Sequence, residues 1–393
     1  MQRLMIRTLI ALLLIAMIGL ITTPSRAATP DIHLTLGNPS GATNDLSQEQ
    51  NFLISRTQYT LAYQRADGIP RWVSWYLTAN DIGPAPRCDC FTSDTSLPVG
   101  WNRIVTSDYT NSGYDRGHMT ASEDRTANDA ENAATFIMTN LLPQSPQNNR
   151  GPWARLESTS RSLAQTGNEL YIISGPAGTL GTLASGTLRI PAATWKAVLV
   201  LPEGSDDLSR ITTATRVIAI RISNDKNDTS VQQSDPWEQY RTSVDTIEAE
   251  TGDDLFNALP PRIQRVIEAR VDTGPQALNL TIVAGNNQST LRGSTFPQQL
   301  TIEVHDASNQ PQAGVPVVFA SLGTGADALF AAGDTQITII TDSQGRASVP
   351  ATASAIAGSY TVEASTAGVY TPLVFQLTNS DDFVIALPLV IQP

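Results

Sequence analysis

Residues 114–119, with the sequence Tyr-Asp-Arg-Gly-His-Met, decide how the fold and the chemistry of this chain are interpreted. Arg116 stands two residues before His118, and residues two apart in an extended strand face the same side. A neutral imidazole acts as a general base near neutral pH, and a neighbouring cation holds charge that gathers on phosphate oxygens. The segment therefore predicts a strand that directs a base and a cation at one phosphodiester.

The 393-residue chain contains only three histidines, so few positions can supply such a base. His33 lies in an apolar run near the expected mature N-terminus, and His305 lies in a strand-like run near the C-terminus. Both are interpreted as ordinary core or surface residues. His118 is predicted to be the catalytic base.

The next stretch of the chain supplies groups that suit a metal ion. Residues 135–142 alternate like a second strand, and a helix is predicted to begin at Asn148 or Asn149. In a regular helix Asn149 and Glu157 would share one broad face. An amide oxygen and a carboxylate suit a hard cation that keeps most of its water, such as Mg²⁺. Two strands followed by a helix with these groups predict a ββα metal site.

The rest of residues 30–280 mixes strand-like and helix-like runs, which predicts an α+β fold. A helix is predicted over residues 242–251, with Thr242 and Asp245 as a capping box and Gly252 as its stop. Runs rich in β-branched and aromatic residues predict strands at 72–77, 170–174, 195–201 and 217–222.

The last hundred residues have a different sequence pattern. A polar, Gly-containing stretch at 284–292 is predicted to be a linker, and short strands separated by turn clusters follow it. The predicted strands cover residues 300–304, 315–319, 337–341, 360–364 and 373–377.

This region resembles the bacterial immunoglobulin-like domains of the invasin and intimin type. The resemblance implies a C-terminal all-β immunoglobulin-like sandwich that serves as a spacer or adhesion module, with a surface or glycan partner. The motifs that carry it are Gly293-Ser-Thr-Phe, Leu300-Thr-Ile-Glu-Val, Gly314-Val-Pro-Val-Val-Phe, Thr341-Asp-Ser-Gln-Gly-Arg-Ala and Gly358-Ser-Tyr-Thr-Val.

Residues from about 50 to 270 resemble the DNA/RNA non-specific endonuclease family, which includes endonuclease G and has the ββα-metal, or His-Me finger, fold. The resemblance implies a central antiparallel sheet and metal-dependent cleavage of DNA and RNA through backbone phosphates, leaving 5′-phosphate ends. Its motifs are Asp115-Arg-Gly-His-Met, Thr139-Asn-Leu-Leu-Pro-Gln, Asn149-Arg-Gly-Pro-Trp-Ala-Arg-Leu-Glu157, Tyr171-Ile-Ile-Ser-Gly-Pro, Ile190-Pro-Ala-Ala-Thr-Trp-Lys and Glu250-Thr-Gly-Asp-Asp-Leu-Phe.

The family's metal centre carries over onto three residues of this chain. The resemblance implies that His118 is the general base that activates water. It implies that Asn149 is the sole direct protein ligand of the metal, which is Mg²⁺ with Mn²⁺ as the alternative. Glu157 then corresponds to the carboxylate that orients the water molecules around the metal.

Three further residues carry over as catalytic or supporting groups. Arg116 resembles a cation that binds the substrate phosphate, and Arg87 resembles an upstream arginine that binds substrate and stabilises the transition state. Asn140 stands where the family has a supporting amide. The Cys88-Asp-Cys90 sequence beside Arg87 is not part of the common pattern, and from sequence it is either two free thiols or a strained disulfide.

Residues 1–27 have the features of a cleaved signal peptide. Arg3 and Arg7 precede an apolar run at 8–21, and Ser25-Arg-Ala27 places small residues at the two positions that a signal peptidase reads. A membrane anchor is the alternative, but spanning a bilayer takes about 20 apolar residues. The mature protein is therefore expected to lack a membrane span and to be secreted, extracellular or associated with the cell envelope.

Five segments result from these patterns. They are a signal peptide at 1–27, a nuclease-like domain at 28–283, a linker at 284–292, an immunoglobulin-like domain at 293–380 and a tail at 381–393.

The formal net charge of −12 is unusual for a protein expected to bind a polyanion. Affinity for nucleic acid would then depend on a local group of cations together with a metal ion. Two alternatives stay open from sequence: a catalytically inactive nuclease-like adhesin or envelope-binding protein, and a phosphodiesterase for smaller diesters.

Overall fold

The computed structural model describes residues 31–274, 278–307, 309–323, 325–366, 369 and 372–381. The predicted signal peptide at 1–27 and all but the first residue of the predicted tail at 381–393 lie outside them. Within these ranges, no helix combines the length and apolar character needed to cross a membrane.

Residues 31–274 contain strands β1 to β11, six helices and several short 3-10 turns. The strands are β1 (Phe52–Ser55), β2 (Thr60–Gln64), β3 (Ile69–Leu77), β4 (Asp115–His118), β5 (Leu141–Gln144), β6 (Asn168–Ala177), β7 (Gly181–Leu183), β8 (Leu188–Ile190), β9 (Ala193–Pro202), β10 (Arg216–Ser223) and β11 (Arg241–Thr242). The helices are α1 (Asp129–Thr135), α2 (Pro146–Asn148), α3 (Ala154–Gln165), α4 (Asp207–Arg210), α5 (Val244–Thr251) and α6 (Pro261–Ile267).

A seven-stranded antiparallel sheet organises this part of the chain, in the order β1-β2-β3-β6-β9-β10-β11. Side chains alternate between two hydrophobic cores: Leu170 and Ile172 face one, and Tyr171 and Ile173 face the other. Because both faces are buried, the central strands are almost continuously apolar in sequence. The four predicted strands lie within β3, β6, β9 and β10, so the α+β prediction with its antiparallel sheet is confirmed.

The two faces of the sheet carry different elements. Trp153 and Leu156 pack the start of α3 against one face, beside Leu141 of β5. Val244 and Ile247 pack α5 against the other face. The β4–β5 pair and the helix that follows it therefore lie on the first face, which places the predicted catalytic groups there.

The boundaries of α5 differ slightly from the sequence prediction. Ser243, and not Thr242, is the N-cap, because its hydroxyl accepts a hydrogen bond from the Thr246 amide at 3.2 Å. Gly252 ends the helix in the left-handed conformation with φ of 71°, as its position predicts.

The C-terminal region is all-β and consists of two main sheets. Its strands are β12 (Leu278–Ala284), β13 (Gln288–Leu291), β14 (Leu300–Asp306), β15 (Pro316–Ser321), β16 (Ala328–Leu329), β17 (Gln336–Ile340), β18 (Arg346–Val349), β19 (Thr352–Ala353), β20 (Gly358–Ser365) and β21 (Leu373–Ser380). The sheets have the orders β12-β14-β18 and β13-β21-β20-β15-β17, and both contribute to one apolar core. Its relation to immunoglobulin-like domains stays a prediction.

The predicted linker at 284–292 is wrong in one respect. Strand β12 pairs with β14, and β13 pairs with β21, so the stretch lies inside the C-terminal fold. Its Gly and Asn residues form a turn between two strands, with φ of 90° at Gly285 and 56° at Asn287. The C-terminal fold therefore begins by Leu278 and not at residue 293.

A small set of polar contacts joins the C-terminal region to the rest of the chain. The Thr213 hydroxyl donates to Oε2 of Glu363 at 2.5 Å. Arg270 follows α6 and donates to the Thr213 carbonyl at 2.9 Å and to Oγ of Ser365 at 3.3 Å. Arg262 of α6 donates to the Gly323 carbonyl. These contacts involve elements on the sheet face opposite the predicted catalytic groups.

We expect a shortened chain of residues 28–274 to fold and to keep nearly the full-length rate of the nucleic-acid cleavage that the family resemblance implies, at about 150 mM salt. The removed region carries two Arg, no Lys and eight acidic residues beyond position 285. Its loss should raise activity at low salt, where repulsion of a polyanion is least screened, and leave it unchanged at high salt. Both chains are compared across a salt series. If the shortened chain is folded by circular dichroism yet inactive at every salt concentration, the C-terminal region is part of the catalytic unit.

Candidate active site

The predicted strand pair is present, but its second strand begins later than expected. Strand β4 pairs antiparallel with β5, with His118 opposite Leu141. Residues 135–142 do not form a strand: α1 ends at Thr135, a 3-10 turn covers Met138–Asn140, and β5 covers Leu141–Gln144. The turn is stabilised by hydrogen bonds of the Asn140 side chain, which local alternation of apolar residues does not reveal.

The helix after the strand pair also begins earlier than predicted. Helix α2 starts at Pro146, and the Ser145 side chain caps it. A wide π-type turn covers Asn149–Trp153 before α3, and its φ/ψ are non-helical at Gly151. A Cβ on Gly151 would lie 2.7 Å from the Cα of Gln233, so only glycine fits there. Asn149 and Glu157 therefore do not share a regular helix.

The wide turn nevertheless brings both residues to one cavity. The cavity has a volume of about 300 Å³ and receives residues from β4, the wide turn, α3 and the loop that contains Arg87. Five of the six predicted site residues line it: Arg87, Arg116, His118, Asn149 and Glu157. Their convergence was predicted from motifs widely separated in sequence.

His118 is buried and held between two aromatic rings. Its side chain is 8% exposed, and its ring lies edge-on to Phe136 at 4.8 Å and tilted to Phe91 at 5.8 Å. Burial, together with the nearby Arg87 and Arg116 charges, lowers the pKa of His118 to about 3. Among the described residues, Nε2 has no hydrogen-bond partner. The imidazole is therefore neutral, with a nitrogen that can accept a proton.

Two arginines stack on the rings that enclose His118. The Arg116 guanidinium carbon lies 3.9 Å from the centroid of Phe91, and that of Arg87 lies 4.9 Å from the centroid of Phe136. Stacking uses the faces of a guanidinium and keeps its N–H donors in the plane, where they can bind phosphate oxygens.

The Cys88–Cys90 pair is a disulfide that shapes the loop next to Arg87. The two Cα atoms are 5.1 Å apart, and Asp89 between them is left-handed with φ of 49°. The Cys88 amide donates to Oδ1 of Asn132 at 2.9 Å, and Nε of Arg87 pairs with Asp89 at 2.8 Å. Of the two alternatives, free thiols or a disulfide, the structure therefore has the disulfide. The closed loop restricts the backbone that carries Arg87.

Asp115 orients the Asn149 side chain. Nδ2 of Asn149 donates to Oδ2 of Asp115 at 2.9 Å, so the amide oxygen is the atom that remains to bind a cation. Arg150 makes a bidentate pair with the same carboxylate at 2.6 and 2.8 Å. Asp115 is therefore a positioning residue, and the Asn149 amide and the Glu157 carboxylate give the cavity the hard oxygen donors that suit Mg²⁺.

Glu157 is paired with a lysine buried in the sheet. Nζ of Lys196 lies 3.3 Å from Oε1 of Glu157. It also lies 4.2 and 5.5 Å from the rings of Trp153 and Trp75, and the lysine side chain is 1% exposed. Burial raises the pKa of Glu157, and the Lys196 charge opposes that rise.

Asp124 and Arg161 form a second ion pair beside this cavity. Nη1 of Arg161 lies 3.0 Å from Oδ1 of Asp124, and the indole nitrogen of Trp75 donates to the other oxygen at 3.1 Å. Arg161 also pairs with the exposed Glu123 at 2.5 Å. The wall of the cavity next to Glu157 is thus built from paired charges.

Residues 37–262, more than half of the chain, match the family described as DNA/RNA non-specific endonuclease. The chain belongs to this family. Among its relatives is the "Nuclease" of Nostoc sp., 45% identical over 241 residues, which cover 61% of this chain and 86% of that protein. The mitochondrial nuclease EXOG of Mus musculus is 31% identical over 169 residues, 39% of this chain and 46% of EXOG.

A solved structure supports the fold assignment. The chain aligns with a structure titled as the EndoG/EndoGI complex with a TM-score of 0.50 and 24% identity, over 60% of this chain and 95% of the other. At this identity the likeness shows the fold alone. The family and the named relatives establish the chain as a nuclease of the DNA/RNA non-specific class.

Asn140 is the one predicted catalytic residue that the structure places outside the cavity of the nuclease. Its Oδ1 accepts from the Thr120 amide at 3.0 Å, and its Nδ2 donates to the carbonyls of Thr120 and Thr135 at 2.9 Å each. The Met119 amide donates to the Asn140 carbonyl. Asn140 therefore positions the backbone that follows His118, and the expectation that it is catalytic is corrected.

The sequence did not predict a role for Lys196, although this residue ends the family motif at residues 190–196. The available signal was a lysine inside the otherwise apolar strand 193–202, since a fully buried lysine requires a partner. The sequence could not identify Glu157 as that partner, because the two residues meet only after α3 packs on the sheet.

We expect Lys196→Met to lower the turnover of the nuclease about 10- to 100-fold, the usual range for residues that orient metal-site groups. The substitution keeps an apolar chain between the tryptophans but leaves Glu157 without its cation. The half-saturating Mg²⁺ concentration should rise as well, which a general loss of packing would not cause. The chain has one other lysine, the exposed Lys226, and Lys226→Met is the matched control. Unchanged turnover and unchanged Mg²⁺ dependence in Lys196→Met would exclude the positioning role.

Proposed function

We propose that this family member is an exported, divalent-metal-dependent endonuclease that hydrolyses DNA and RNA without sequence or sugar specificity, leaving 5′-phosphate ends. The observation that carries the proposal is the set of side chains that surround His118. A neutral imidazole with an unpartnered nitrogen shares one cavity with two arginines, an oriented amide and a carboxylate. A base, phosphate-binding cations and hard oxygen donors are what hydrolysis of a phosphodiester requires.

The chemistry follows from the positions of these side chains. A water molecule attacks phosphorus in line with the 3′-oxygen, and the neutral imidazole of His118 accepts its proton. Arg116 and Arg87 donate to the non-bridging oxygens as negative charge accumulates there. A divalent cation, Mg²⁺ or Mn²⁺, would be held by Asn149 near Glu157 and would neutralise charge on the phosphate and leaving oxygens. The bond from phosphorus to the 3′-oxygen breaks, the departing 3′-oxygen takes a proton from solvent water, and the phosphate stays on the 5′-oxygen.

The lack of sequence preference is consistent with the residues that line the cavity. Its polar groups are arginines, an amide, carboxylates, the imidazole and the hydroxyls of Ser122 and Ser158, and most of them suit phosphate and metal chemistry. Contacts with phosphate position a nucleic acid and carry no direct sequence information.

The disulfide supports export. Disulfides persist in oxidising compartments and are rare in the cytosol, and the chain forms one between its only two cysteines. The signal-peptide pattern of residues 1–27 points the same way. We therefore propose a secreted or envelope-associated location.

His118→Ala should reduce cleavage of DNA and RNA by about 10²–10⁴-fold, the range typical for loss of a general base. The test is digestion of plasmid DNA and of RNA with Mg²⁺, with and without EDTA, followed by end-labelling of the products. Wild-type activity should disappear in EDTA, and the products should carry 5′-phosphates. A folded wild-type chain that cleaves no nucleic acid with Mg²⁺ or Mn²⁺ would favour the adhesin alternative. Hydrolysis of small phosphodiesters alone would favour the phosphodiesterase alternative.

Asn149→Ala and Glu157→Gln should separate metal binding from orientation. Asn149→Ala removes the amide oxygen, so it should shift the Mg²⁺ saturation curve to higher concentration as well as lower turnover. Glu157→Gln keeps the size of the side chain and should lower turnover with a smaller shift of the curve. Saturation curves for Mg²⁺ are measured for both variants and the wild type. A curve for Asn149→Ala that coincides with the wild-type curve would show that the metal is held elsewhere.

A further inference from the structure

Three carboxylates converge on the side of the sheet that faces away from the catalytic cavity. Asp245 and Glu248 belong to α5, and Glu268 follows the last residue of α6. One oxygen from each side chain lies within 4.8 Å of the other two. None of the three lines the catalytic cavity, and the nuclease mechanism does not use them.

Glu268 distinguishes this cluster from ordinary exposed acidic groups, because its carboxylate is buried and one of its oxygens is unpartnered within the described part of the chain. The residue is 5% exposed, and its Oε1 has no hydrogen-bond partner among the described residues. Burial, together with the negative charges of Glu248, Asp254 and Asp245, raises the pKa of Glu268 to about 8. A buried carboxylate oxygen without a hydrogen-bond donor is energetically costly, and the charged groups that act on Glu268 are all negative.

The other two residues leave oxygens available for a shared ligand. Oε1 of Glu248 accepts a hydrogen bond from the Leu255 amide at 2.7 Å, which fixes the orientation of that carboxylate. Asp245 is exposed, so water and ions can reach the cluster past its side chain. The Asp245 amide also donates to the Glu268 carbonyl at 3.2 Å, which holds α5 and the end of α6 together.

We propose that Asp245, Glu248 and Glu268 bind a calcium ion. Ca²⁺ binds oxygen ligands at roughly 2.3–2.6 Å, so two of its ligands can be up to about 5 Å apart. Mg²⁺ binds at roughly 2.0–2.1 Å, which limits two ligands to about 4.2 Å, and it demands near-octahedral geometry. Three carboxylate oxygens that all lie within 4.8 Å of one another, on a cluster with an exposed side for water molecules, suit an ion that takes six to eight oxygen ligands in flexible geometry.

The ion would act as a structural clamp. It would connect α5 to the end of α6, only two residues before Arg270, whose side chain reaches the C-terminal region. Calcium would therefore stabilise the fold and its contact with the C-terminal strands without taking part in hydrolysis.

The experiment measures thermal unfolding of chelator-treated full-length protein with and without 10 mM CaCl₂. Wild type should melt about 2–4 °C higher with calcium, as expected for a chain of this length from a dissociation constant of roughly 10⁻⁴–10⁻³ M. Glu268→Gln should lose this increase, and its activity at saturating Mg²⁺ should stay within about twofold of wild type. Glu203→Gln, which removes the same charge from an exposed position, should retain the full increase.

A second comparison separates this site from the catalytic metal. Asn149→Ala should keep the calcium-dependent increase in melting temperature, whereas the double variant Asn149→Ala, Glu268→Gln should lose it. In equilibrium dialysis with ⁴⁵Ca, the double variant should bind one calcium ion fewer than Asn149→Ala does. Asp245→Asn alters an exposed side chain that the core does not need, and it should weaken calcium binding in a folded protein. The proposal is overturned if wild type shows no increase, or if the increase is equal in Glu268→Gln or absent from Asn149→Ala.

Discussion

The ammonium group of Lys196, buried in the central sheet, is the interaction on which the catalytic cavity depends. A cation in the interior is tolerated only if it is paired, and removing one partner of a buried pair is strongly destabilising. Lys196 meets this requirement with Glu157 of α3 and with the π faces of Trp153 and Trp75. Trp153 ends the wide turn that begins at Asn149. One charge in the sheet thereby fixes the carboxylate and the end of the wide turn that carries the Asn149 amide.

Burial then sets the protonation state of the base. His118 sits against Phe91 and Phe136, and the same two rings support Arg116 and Arg87. The aromatic rings exclude water from the imidazole, and the two cations oppose its protonation, so both effects lower its pKa. A base and its phosphate-binding cations share one pair of rings, so packing sets their relative positions.

Patterns that depend on local sequence were predictable, and those that depend on distant contacts were not. The apolar strands of the central sheet and the convergence of Arg116, His118 and Glu157 follow from composition and from a family motif. The wide turn at Asn149–Trp153 was not predictable, because it accommodates the close approach of Gly151 to Gln233, more than 80 residues away. Asn140 was predicted to act in the site because it stands where the family has a supporting amide, and only its hydrogen bonds to backbone groups show that it lies outside the cavity. The stretch at 284–292 looked like a linker because turns and linkers share Gly and Asn.

The net charge of −12 and a nucleic-acid substrate are reconciled by counting which cations are already paired. Arg161 is committed to Asp124 and Glu123, Lys196 to Glu157, and Arg150 to Asp115. Within the described residues Arg116 makes no ion pair, and the partner of Arg87 is the exposed Asp89, whose attraction is weak in water. Few of the cations around the cavity are therefore available to neutralise phosphates. Because each neutralised phosphate adds to the affinity and to its salt dependence, the cavity is suited to transient binding at one phosphodiester, which favours release of the cut strands over retention of a long polyanion.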